Sequence, residues 1–142
     1  MEKSIDFLNY MYKNAQMGIV GIDDVLKKSK AKEFKNLLEK QKIQYEDICN
    51  QVKEHLKAKE AKLEEINAMA KIGSSFVSSV EIAKNHTDST IAKLMIEGTN
   101  KGIIKINEKL NNIPNIDKDV KKIAMKLLKT EQNNLNELKK YL

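Results

Sequence analysis

One residue poses the chemical question in this chain. In the closing stretch KLLKTEQNNLNELKKYL and the residues before it, a helical apolar line runs Val120, Ala124, Leu127, then Leu135 and Leu138. Glu131 occupies the place between them. A carboxylate on a core-facing position has two ordinary uses. It ligates a metal ion whose charge offsets its own, or it is held by hydrogen-bond donors and shifts toward its protonated form.

Helical geometry at about 100° per residue supplies its neighbours. Gln41 and Tyr45 fall near the centre of one apolar face, Thr99 is the inward polar residue of another, and Asn134 follows Glu131 by one turn. On the first helix the matching central residue is Ala15. Counting residues from the turns puts this layer at mid-height, roughly 22 Å along each hairpin. The expectation is a buried polar layer of Gln41, Tyr45, Thr99, Glu131 and Asn134, with Glu131 bonded chiefly to Gln41 and Tyr45. Its pKa is expected to rise, because no Lys lies on these faces to neutralise it.

A two-metal centre in a helical bundle asks for more. It takes a Glu from each of two helices and a Glu-x-x-His pair from each of the others. Here Glu131-Gln-Asn-Asn134 has Asn where His belongs, and Gln41-Lys-Ile-Gln44 has neither ligand type. Glu97 is placed toward solvent by its angle, and Asn14 and Gln16 fall about 100° off the first helix's face. Glu131 is the weak metal candidate that remains. The expected cofactor is none, with iron or manganese as the alternative.

Other chemistry finds little support. His55 and His86 read as boundary residues, and Cys49 as an inert buried thiol that sets up no disulfide framework. Gly98 and Gly102, four apart, suit close helix approach and not a phosphate loop. Ser74, Ser75, Ser78 and Ser79 have no His or Asp placed to activate them. All 26 basic residues are Lys, giving a net charge of +6 without one Arg. Bidentate reading of guanine or phosphate is mainly an Arg task. The lysines read as a solvated face interleaved with Glu, so no nucleic-acid role is expected. No apolar run approaches the roughly 18 residues that cross a bilayer, and the N-terminus lacks a signal pattern. No membrane role is expected, and a cytoplasmic location is.

The elements that must position this layer are helices. One Pro, five Gly and abundant Ala, Leu, Lys and Glu over 142 residues leave few places to break one. The periodicity predicts helices at about 5–28 with Ser4 as N-cap, 31–58, 64–84, 89–112 after Thr87 or Asp88, and 118–141 after Asp117. An unbroken helix from 64 to 112 would be about 72 Å long, twice its neighbours. The economical arrangement is a single domain, residues 1–142. Hairpins 5–58 and 89–141 pair in it, joined by a crossover helix at 64–84.

The stretches DFLNYMYKNAQMGIVGIDDVLKK, MIEGTNKGI and LLKTEQNNLNELKKYL resemble an uncharacterised bacterial ferritin-like family of short cytoplasmic helical proteins. The resemblance implies an all-α, ferritin-like four-helix bundle made of two antiparallel hairpins with a helical crossover. The wider superfamily, rubrerythrin-like proteins among them, implies iron storage or peroxide chemistry, yet Glu131 alone matches a ligand position. The expected function is therefore a binding or scaffold protein with a metal-free core site, in stress response or sporulation, and not an enzyme. The alternative is a metal-dependent redox protein with a reduced site around Glu131. The broad apolar face of Met95, Ile103, Ile104 and Ile106 predicts a homodimer.

Overall fold

The chain's computed structural model describes residues 2–64 and 87–142, and these form four helices and no strand. They are α1 (Glu2–Leu26), α2 (Lys32–Ala58), α3 (Asp88–Asn112) and α4 (Lys118–Lys139). The expected crossover helix at 64–84 lies, apart from Glu64, outside the described residues.

Cross-helix contacts fix the directions. Gly18 lies against Tyr45, and Asp23 pairs with Lys42 at 2.7 Å, so ascending α1 means descending α2. Asn14 approaches Gly102, and Lys109 sits 4.7 Å over the Tyr10 ring, so α3 also descends. Lys126 meets Asp47 at 2.6 Å and Lys59 meets Asp117 at 2.8 Å, so α4 runs up against α2. The order is up, down, down, up. The chain therefore leaves α2 at one end of the bundle and enters α3 at the other, which is the topology of a bundle with one long crossover.

Each helix buries one stripe in a shared core that includes Phe7, Met11, Phe34, Ile48, Ile106 and Leu127, all fully buried. The caps differ in part from the sequence reading. Thr87 does cap α3, its Oγ1 accepting from Thr90 N–H at 3.1 Å. Ser4 is no cap, because α1 already begins at Glu2; it is buried, and its Oγ meets Asp117 N–H at 3.5 Å. Asp117 occupies the N-cap position of α4 without a side-chain cap bond, since its carboxylate is engaged by Lys59. At the opposite end, Asp88 accepts from Lys30 N–H at 2.8 Å and Ala31 N–H at 2.9 Å. One carboxylate thus serves the start of α2 from the start of α3, where the helix dipole favours it.

That contact ties the two hairpins together by charge-assisted bonds to backbone donors. Asp88→Ala is expected to lower unfolding free energy by about 1–2 kcal/mol. Glu is expected not to restore it, because its longer side chain misplaces the two oxygens. Urea titration of the two variants beside the wild type checks this, and a loss confined to the last few tenths of a kcal/mol contradicts it.

Candidate functional site: a polar layer inside the bundle

All five residues of the expected layer are interior. Gln41 is 1% exposed and Glu131 2%, and Tyr45, Thr99 and Asn134 are buried with them. They come from α2, α3 and α4 at mid-height. Asn14 of α1 joins them, also buried. Its burial corrects the sequence reading, which set Asn14 aside because it lies off the apolar face. α1 is buried over a wider arc than its apolar residues mark, with Ser4, Asn9 and Asn14 all inside.

The partners differ from those expected. Gln41 Nε2 donates to the backbone carbonyl of Asn134 at 3.4 Å, so its amide is engaged there. The Tyr45 hydroxyl lies beside Asn134 and Thr99. Glu131 Oε1 has no hydrogen-bond partner, and neither has Asn134 Nδ2. The predicted Glu131 bonds to Gln41 and Tyr45 are therefore absent. Angular bookkeeping identifies the face a side chain occupies but not which neighbour across the bundle leaves it room.

Gly102 leaves that room. A methyl placed on it would lie 2.6 Å from Glu131 Oε2 and 2.8 Å from Asn14 Nδ2. The missing side chain on α3 is the hollow into which the carboxylate and the amide fit. Gly18 plays the same part for Tyr45, whose ring atoms would come within 2.8 Å of a methyl there. Gly98, expected to share the close approach, faces open space with nothing within 4 Å.

The electrostatics follow from this packing. Burial pushes the Glu131 pKa from 4.5 up to about 8, with no cationic neighbour to pull it back. Tyr45 is raised by burial and then by the Glu131 charge, while Asn134 and Thr99 oppose the rise. Tyr10, at the edge of the layer, is raised by burial, opposed by Asn14 and raised further by Glu131 and Glu108. A carboxylic acid, two phenols, a hydroxyl and three amides make an almost uncharged set.

Such a set does not fit a two-metal centre. One carboxylate cannot balance two divalent ions, and the amides and phenols supply neither the charge nor the imidazoles that complete such a shell. Among the described residues no group of three or more His, Cys, Asp or Glu is placed to hold a metal ion. His55 is at the bundle margin, its Nδ1 2.8 Å from the Gln51 carbonyl and its Nε2 3.7 Å from Asp119. His86 lies outside the described residues. Cys49 is buried and its thiol is pushed up to about 11, so it stays protonated and unreactive. Glu97 is exposed as expected.

No protein-family model matches this chain, and no curated protein does. Among solved structures it is similar to the crystal structure of a DUF305 fragment from Deinococcus radiodurans. The TM-score is 0.73 at 13% identity, over 98% of this chain and 94% of that one. At that identity the likeness is one of fold, an all-helical four-helix bundle.

The layer predicts a pH profile. An acid whose folded pKa exceeds its unfolded value keeps its full contribution below the unfolded pKa and loses it as pH rises through the folded one. For Glu131 that window runs from about 4.5 to about 8. Across it, wild-type stability is expected to fall by up to about 1.4 kcal/mol per pH unit. Glu131→Gln keeps the shape without the proton, so its stability is expected to stay flat, equal to wild type near the acid end and above it at pH 8. Denaturant titrations across this range check the sign, and wild-type and variant curves that stay parallel would sink it.

The glycines give a paired expectation. Gly98→Ala is expected to stabilise by about 0.5–1 kcal/mol through helix propensity alone. Gly102→Ala is expected to cost about 1–2 kcal/mol, because Glu131 and Asn14 must move and the interior is already filled. Thermal melts of the two variants separate them, and shifts of the same sign would contradict this account.

Proposed function

We propose that the chain is a ferritin-like bundle without a metal centre, working in the cytoplasm as a binding or scaffold protein. The up-down-down-up order supports the ferritin-like reading, since one long crossover is the mark of that topology. The observation that carries the functional half is the composition of the mid-bundle layer. Where a di-metal protein sets carboxylates and imidazoles, this chain has one Glu among amides, phenols and a hydroxyl. A layer so built orders the core and leaves the outer faces of the helices for recognition.

A homodimer is the self-association the α3 face suggests. Met95 and Ile106 are taken up by the core of their own bundle, which leaves Ile104, 48% exposed, and half-buried Ile103 to support it. No helix among the described residues is long and apolar enough to cross a membrane.

Metal analysis of protein purified without chelator tests the reading. Iron, manganese and zinc are expected well below one per chain, and the same in wild type and Glu131→Gln. Stoichiometric metal in the wild type that disappears in Glu131→Gln would overturn the proposal in favour of a redox site around Glu131.

A further inference from the structure

The outer face of α4 is unlike those of its neighbours. From Lys118 to Lys140 there are seven lysines and three carboxylates, and one of the three, Glu131, is buried. The other helices are balanced or nearly so: α1 carries two Lys against four acids, α2 six against five and α3 four against three. The expectation that lysines interleave with Glu along every segment fails on α4 alone.

The lysines also share a direction. Lys118, Lys122, Met125, Lys129, Gln132 and Asn136 recur every three or four residues and are all exposed, which is one stripe along a helix about 33 Å long. Lys121 and Asn133 flank it, exposed as well. The carboxylates Asp119 and Glu137 lie about 100° to one side of its centre, on the edge toward α2. There Asp119 meets His55 at 3.7 Å, and Asp47 of α2 holds Lys126 at 2.6 Å. Lys118, Lys121, Lys122 and Lys129 form no ion pair with any described residue. Two other lysines of this stretch are engaged, Lys126 by Asp47 and Lys140 by Glu137.

We infer that the lysine stripe of α4 is a docking surface for an acidic, amphipathic helix of a partner protein, with Met125 as its apolar anchor. This rests on the binding-protein reading above and names the surface and the partner's chemistry. Two features choose a protein helix over a phosphate surface. Met125, 49% exposed amid the charges, offers a soft apolar contact that phosphates cannot use. The carboxylates of Asp47, Asp119 and Glu137 border the strip on the side toward α2 and repel a broad anionic surface there.

The test uses a labelled synthetic helical peptide with glutamates on one face around a leucine, read by fluorescence anisotropy at low and physiological salt. The wild-type chain is expected to bind it, more weakly as salt rises. A variant with Lys118, Lys121, Lys122 and Lys129 all changed to Gln is expected to bind about tenfold more weakly. A charge-matched variant with Lys30, Lys40, Lys93 and Lys101 changed to Gln is expected to bind like wild type. Met125→Ser is expected to weaken binding several-fold with the salt dependence unchanged. Absence of binding, or equal losses in the two lysine variants, overturns the proposal. So does tighter binding of duplex DNA or of phosphatidylserine vesicles than of the peptide. None of these substitutions touches the polar layer, so failure here leaves the metal-free reading standing. Stoichiometric metal would in turn fail that reading without moving these binding curves.

Discussion

A carboxylate taken out of water without a cation beside it is the constraint around which this bundle is arranged. Leaving Glu131 ionised inside the core would be heavily penalised, and nothing on the facing helices supplies a positive charge. The layer answers by holding the group as a neutral acid. Gly102 gives it space, Asn14 shares that space, and Gln41 is turned away to the Asn134 carbonyl. The hairpins meet across this layer, where Glu131 of α4 and Asn14 of α1 close on Gly102 of α3. The ends of the bundle are pinned separately, by Asp88 at one and by the Lys59–Asp117 pair at the other. Mid-height polarity and the carboxylate contacts at the two ends together favour the register that apolar packing alone would leave loose.

The fold was legible because its signals repeat. Apolar residues at spacings of three and four, one proline and few glycines mark helices over long windows, and each of the four described helices lies within a few residues of where periodicity puts it. The buried set Gln41, Tyr45, Thr99, Glu131 and Asn134 was legible for the same reason, since a helix angle depends only on sequence position. What the sequence concealed was pairwise. Asn14 sits off the apolar stripe of α1 and is buried because α1 is covered on more than one side. Gly102 and Gly98 look alike in sequence, four apart on one helix, yet only Gly102 faces α4. Ser4 has the residue type of a cap and lies inside a helix that begins earlier. Each of these depends on what an opposing helix brings, which no single-helix periodicity contains.

The separation of an uncharged interior from a charged exterior organises the functional reading. A metal protein concentrates its ionisable groups at the centre of its bundle. Among the described residues no lysine is buried and Glu131 is the one buried carboxylate, and α4 carries the largest excess of positive charge. An uncharged core beneath a charged surface is the arrangement on which the proposed binding role rests.

The protonation state of Glu131 tests the central claim most directly. Carbon-13 labelling of the glutamate side chains allows the Glu131 carboxyl signal to be followed by NMR across pH, with Glu131→Gln supplying the assignment. The account predicts a single titration with its midpoint near 8, well above the ordinary carboxyl value of 4.5, in protein free of metal. A midpoint at the ordinary value, or a signal broadened or shifted by stoichiometric metal and restored by chelator, would contradict it.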